Sequence, residues 1–423
     1  MNSFLRKNIV MFVAVLIMAA FLIAAAQGME KQDFVITLLR GLAVGSITFL
    51  VASGFSLIFG LLDVLNLAHG TLFMIGAYIG WTVVVRPDTF VDLLTPLALI
   101  VTGFTLGDVY PALASRIRLG LSLKRILPWV LIVVSILLFG FFLPRYPIAI
   151  WDVENYGQSP VTFAFMADSG ARLPVQPAAF TEIPMPLAVI GLLLASILGA
   201  FGISLFDNTP RTVRLSWKNF VTVTLAVMVA LVGLLFNDQL SAFLYELSSN
   251  WLFFIAVLVA TLSGVALGGL MEATLIRPLY SRPIYQLMLT LGMSAIGIEM
   301  VRAIWGRPEF VMPKPAFFNG SGEACPATSF ADWWANNCST ILILDGRVRV
   351  YNEIFIPIVG LVVLISIWIL LQRTRLGMII RAGVQDSQMV EALGINVRRV
   401  FTMVFALGVG LAALGGVLGA PST

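Results

Sequence analysis

Residues 354–372 read IFIPIVGLVVLISIWILLQ without a charged side chain, and residues 373–399 that follow read RTRLGMIIRAGVQDSQMVEALGINVRR, with five arginines against Asp386 and Glu391. An uncharged run of this length spans the hydrocarbon core of a bilayer as a helix, because lipid offers backbone N–H and C=O groups no partner and only a helix satisfies them within one segment. Basic residues gathered at its end mark the cytoplasmic side.

The same alternation fills the chain. Apolar runs lie at 9–26, 34–60, 67–85, 93–110, 126–144, 185–206, 219–236, 251–271, 284–305, 354–372 and 400–420 of the 423 residues. At 59% hydrophobic and 11% charged residues the chain carries more apolar side chains than a soluble fold needs for its cores, so the surplus faces lipid. A mean hydropathy of +0.97 agrees. The expected fold is an all-α polytopic membrane protein of about eleven transmembrane helices in a single domain, 1–423. Runs 67–85 and 93–110 are barely long enough to cross, and either one is a candidate re-entrant segment.

The first run follows Arg6 and Lys7 and ends in Ala24-Ala25-Ala26-Gln27, which fits either a cleaved secretory signal or a retained first helix. Its 18 residues favour retention. With the N-terminus in the cytoplasm, 16 Lys and Arg fall in cytoplasmic segments, among them Arg116, Arg118, Lys124 and Arg125, and 8 fall outside. Arg40 and Arg302 lie within helices, the latter three residues from Glu299 in pairing register. The net charge of +4 is therefore topological and implies no nucleic-acid partner.

Chemistry of the covalent kind is excluded by composition. One His, His69, and two Cys, Cys325 and Cys338, supply no zinc or iron ligand set, and no phosphate loop or hydrolase motif is present. The chain is expected to be a non-enzyme without cofactor. Both cysteines fall in the outer loop 306–353, where an oxidising periplasm favours a disulfide, free thiols being the alternative.

Three segments carry more than hydrophobicity. Gly41-Leu42-Ala43-Val44-Gly45-Ser46, with Gly54 and Gly60, leads to Leu65-Asn66-Leu67-Ala68-His69-Gly70-Thr71. Glu272-Ala273-Thr274 leads through Arg277-Pro278-Leu279 to Leu289-Thr290-Leu291-Gly292-Met293-Ser294. Arg375-Leu376-Gly377-Met378 and Arg381-Ala382 lead to Glu391-Ala392-Leu393-Gly394-Ile395-Asn396. In this order, and over roughly half the chain, the set resembles the LivH-type permease subunits of branched-chain amino acid ABC transporters.

The resemblance implies an importer bundle in the bacterial inner membrane, made with a second permease subunit, two ATP-binding cassette ATPase subunits and a periplasmic substrate-binding protein. The cargo is a small molecule, a branched-chain amino acid by family default, with urea and short amides as alternatives. Glu391, Ala392, Leu393 and Gly394 would contact the ATPase, and apolar Val384, Met389, Val390 and Leu393 between Gly383 and Gly394 read as one short helix, 384–394, with a face for docking. Asn66 and His69, with Gly70, Thr71 and nearby Asp63, are either a polar break lining a substrate pathway or a cytoplasmic turn capped by Asn66. The small residues of the first segment are read as helix-packing positions.

Three departures accompany the resemblance. Thr48 and Phe49 replace a Tyr and a small residue, 86–250 reads as an insert of extra helices, and the chain stops at Gly419-Ala420-Pro421-Ser422-Thr423 where relatives continue, which suggests truncation. A polytopic scaffold without transport activity is the alternative from another class.

Overall fold

The computed structural model describes residues 9–106, 110, 121–151, 183–206, 217–280, 282–305 and 312–422. Arg6, Lys7, Arg116, Arg118 and most of the 145–184 loop lie outside the described residues. The helices are α1 Ile9–Gly28, α2 Lys31–Leu62, α3 His69–Val85, α4 Pro87–Thr105, α5 Leu121–Phe142, α6 Met185–Ser204, α7 Trp217–Leu235 and α8 Asn237–Glu246. They continue as α9 Ser249–Met271, α10 Pro283–Trp305, α11 Phe330–Asn336, α12 Ile356–Arg373, α13 Arg375–Gln385, α14 Ser387–Ala392 and α15 Val397–Gly419.

All eleven apolar runs are helical, but the span count differs from eleven. Among the described residues eight helices are long and apolar enough to cross a membrane, or nine if α7 and α8, bent by 80°, form one broken span. The 17 residues of α3 lie at the lower limit for a crossing. The polytopic helical class stands. Its physical basis is continuous apolar sequence that must close its hydrogen bonds internally.

The chain divides into two compact units. One comprises residues 1–80, 253–299 and 314–423, the other residues 81–252 and 300–313. In the first, α15 is the central helix, with 67% of its apolar window buried against 11% for the span ending at Arg373. It packs along α2, and lipid withholds the hydrophobic drive between helices, so close backbone approach has to supply the attraction. Gly54 of α2 faces Gly408 of α15 at a spacing where an added Cβ would run into the Gly408 carbonyl. On α9, a Cβ at Gly264 would lie 2.6 Å from the Ala413 Cβ and one at Gly268 2.7 Å from the Val409 Cβ.

Not every glycine of the first motif packs in this way. Gly41, Gly45 and Gly60 have nothing within 4 Å of an added Cβ. Gly54→Leu is therefore expected to destabilise the unit by about 1–3 kcal/mol through overpacking, whereas Gly45→Leu, pointing into open space, should be tolerated. Thermal unfolding of the two variants in detergent, side by side, checks this.

The second unit is held by hydroxyls and small residues. Ser135 donates to the Ala195 carbonyl at 2.7 Å, Thr95 to that of Ala230 at 3.1 Å and Ser196 to that of Leu99 at 3.1 Å. Arg86 and Asp88, both buried, form a two-pronged ion pair at 3.1 and 2.8 Å where α3 turns into α4. Asp92, one turn further on, accepts from the Ala149 N–H and from Asn237 at the α7–α8 bend, both at 2.8 Å.

Residues 312–349 form a small lobe. Strands β1 Thr340–Ile343 and β2 Gly346–Arg349 pair antiparallel through a two-residue turn, Leu344 and Asp345, both at positive φ. Cys325 and Cys338 are joined there as a disulfide, with Cα atoms 5.5 Å apart. Phe317, Phe318, Trp333 and Phe355 stack beside them. Arg40, which the sequence leaves unexplained inside a span, donates at 3.0 Å to Glu353, a buried carboxylate that also receives the Arg349 N–H at 2.8 Å.

Candidate functional site

The break between α2 and α3 is built by three side chains. Asp63 ends α2 in the left-handed conformation, φ 52°, and its N–H bonds the Phe59 carbonyl. Asn66 then turns the chain, its Oδ1 accepting the Ala68 N–H at 3.1 Å. His69 opens α3 and leans onto α2, with Nε2 3.0 Å from the Val51 carbonyl and its ring edge-on to Phe55. The glycine at position 54 leaves the room, since a Cβ there would lie 3.2 Å from His69 Nε2. Both the capped turn and the buried polar break describe parts of this geometry.

Asn66, His69 and Thr71 are buried, while Gly70 is exposed with nothing near its Cα. The Thr71 hydroxyl meets that of Ser294 on α10 at 2.6 Å, and Thr290 donates to the Leu65 carbonyl at 3.3 Å. The Asn66 amide nitrogen and His69 Nδ1 are buried without a hydrogen-bond partner. An unsatisfied buried polar atom costs about 1–3 kcal/mol, and these two lie within four residues of one another. Ser294 and Thr290 were quoted in the sequence motif but given no role; their hydroxyls one turn apart on an apolar helix were the available signal.

The second locus is the segment after α12. The expected single helix over 384–394 is two pieces: α13 ends at Gln385, and Asp386 caps α14 by accepting the Met389 N–H at 2.9 Å. Asp386 at an N-cap makes the break favourable, which the apolar pattern hides. Beyond Ala392 the chain closes with the Gly394 N–H on the Glu391 carbonyl, 2.9 Å, and the Ile395 N–H on that of Val390, 3.3 Å, with Gly394 at φ 80°. These are the paired bonds of a glycine-ended helix stop. Asn396 starts α15, its side chain accepting the Arg399 N–H.

Ile380 is buried with Val400 and Val404 against Leu57 and Leu61, fixing α13 to the ends of α2 and α15. Met378 on α13, Met389 on α14 and Leu393 just after it are exposed, at 62%, 62% and 74%. Glu391 and Ala392 are exposed beside them.

A bundle of long apolar helices with a polar break between two of them defines a polytopic membrane protein. The chain belongs to the family described as "Branched-chain amino acid transport system / permease component", whose profile matches residues 37–205 and 185–423. Over 75 residues it is 35% identical to the high-affinity branched-chain amino acid transport system permease protein BraD of Pseudomonas aeruginosa. That match covers 18% of this chain and 24% of the relative, so the chain spans about a quarter of the length of the curated relative it matches. No solved structure matches.

Proposed function

We propose that the chain is the membrane-spanning subunit of an ATP-driven importer of branched-chain or related amino acids, in the inner membrane of a bacterium with its N-terminus in the cytoplasm. A second permease subunit completes the pathway, a periplasmic binding protein delivers the substrate, and two ATPase subunits drive alternating access by engaging residues 375–394. The carrying observation is the exposure of three large apolar side chains, Met378, Met389 and Leu393, on a segment outside the candidate spans. Asn66, His69, Gly70 and Thr71 line the substrate pathway, the two orphan polar atoms being the groups that a small zwitterion or its waters would engage. The disulfide lobe lies on the periplasmic side, where oxidation is favoured.

Proteoliposomes holding the chain with its ATPase and second permease should take up labelled leucine, isoleucine or valine when ATP and binding protein are supplied. Uptake of urea or a short amide instead would move the substrate class. No ATP-dependent uptake of any of these would favour a scaffold. Glu391→Lys, a reversal on an exposed docking position, should weaken co-purification of the ATPase by about tenfold, and unchanged co-purification would remove this segment from the interface.

A further inference from the structure

Glu272 is a carboxylate with no exposed surface at the end of the long span Ser249–Leu279. Residues 272–276 form a π-turn, whose wider winding sets Arg277 over Glu272, five residues on. The Arg277 guanidinium grips the carboxylate with both prongs, at 3.2 and 2.8 Å. The Tyr280 hydroxyl donates to one oxygen and the Thr402 hydroxyl to the other, both at 2.7 Å. Arg277 also donates to the Thr402 oxygen at 2.7 Å, closing a ring.

Three of these residues belong to the chain between α9 and α10, but Thr402 belongs to α15, the helix that leaves the docking segment. Only seven residues separate it from Gly394. Beyond the ring, the glycine contacts of α9 on α15 bind the two helices over their length. On the other side the Gln286 amide donates to the Leu279 carbonyl at 2.8 Å, and α10 then reaches the break through Thr290 on Leu65 and Ser294 on Thr71. Three groups of hydrogen bonds, joined by the backbone at 279–280 and by the body of α10, thus connect the first turns of α15 to residues 65–71.

We propose that Glu272 is a positioning residue which, through Arg277, Tyr280 and Thr402, locks the root of α15 to α10 and so carries displacement of the docking segment to the polar break at 65–71. This rests on the importer reading for its purpose, though not for its geometry. A buried carboxylate satisfied from two helices costs more to pull apart than to move whole, so the two helices shift as one body. A loose joint at Thr402 would let the docking segment move without the break following.

The test compares Thr402→Val, which keeps shape and removes the hydroxyl, with Thr402→Ser, which keeps the hydroxyl. In the full chain in nanodiscs, nitroxide labels at exposed Leu67 and Leu393 should give a narrow distance distribution in the unmodified and Ser proteins and a broadened one in the Val protein. In the complete transporter the Val variant should retain basal ATP hydrolysis and substrate KM but lose about fivefold in substrate moved per ATP, with Ser restoring it. If Thr402→Val does not insert, Glu272→Gln carries the same two measurements. Val indistinguishable from Ser in label distances overturns the proposal, as does a loss that Ser does not restore. An unmodified complex without ATP-driven uptake would instead defeat the importer reading, and the label distances would still decide the joint.

Discussion

Gly394→Leu is expected to lower ATP-driven uptake and substrate-stimulated ATP hydrolysis about tenfold while membrane insertion and binding-protein docking persist. The position is held at φ 80°, where a side chain meets the following carbonyl at a cost of about 1–2 kcal/mol. Space is not the obstacle, because nothing lies within 4 Å of an added Cβ. The strain falls on the turn, whose bonds to the Glu391 and Val390 carbonyls set the direction in which Leu393 projects and α15 begins. Opening that turn disperses the docking face and costs about tenfold in its ordered population. Gly394→Asn is the control, because Asn tolerates the left-handed region, and it should retain most activity. Should the Leu variant pump at the unmodified rate in complex with its ATPase, the turn is not part of the coupling element.

Much of the fold was legible because hydrophobicity along one dimension records it. Each apolar run carries a helix, and Arg373, Arg375 and Arg381 lie where a helix pair leaves the span series, whereas Arg398 and Arg399 already belong to α15. What hydropathy could not supply is which charges meet. Arg40 looks anomalous in its run, and its partner Glu353, 313 residues away, lies just before another; the pairing explains the arginine. Nothing local in the sequence gives Glu272 a role, since its partner Thr402 is an inconspicuous hydroxyl on an apolar helix 130 residues on. The glycines of the first motif look alike in sequence, and only Gly54 of those on α2 at positions 41, 45, 54 and 60 is at a helix contact. The break at Asp386 was readable, as an Asp before Ser387, but was overridden by the greasy pattern around it. At the break between α2 and α3 the polar residues at 66–71 are conspicuous in the sequence, whereas their contacts with Thr290 and Ser294 depend on how α10 packs, which no local pattern encodes.

Arg86→Leu is expected to be the most damaging single change to the unit formed by residues 81–252 and 300–313. Arg86 is 1% exposed and Asp88 4%, and their two hydrogen bonds leave the carboxylate with both oxygens engaged by the guanidinium. Asp92, 3% exposed, lies close enough to feel both charges. Removing the arginine strands Asp88 as an uncompensated buried charge and deprives Asp92 of its nearby cation, and breaking one partner of such a pair costs about 3–5 kcal/mol. Replacing both, Arg86→Leu with Asp88→Leu, removes the stranded charge as well as the pair, and the interior then gains apolar contact. The double variant should therefore recover most of the loss, which a purely steric account of Arg86 would not allow. Denaturation in mixed micelles, run on the two single variants and the double, gives the coupling energy directly. Losses that merely add, with the double variant less stable than either single one, would mean that Arg86 stabilises this unit by filling space and that its charge is incidental.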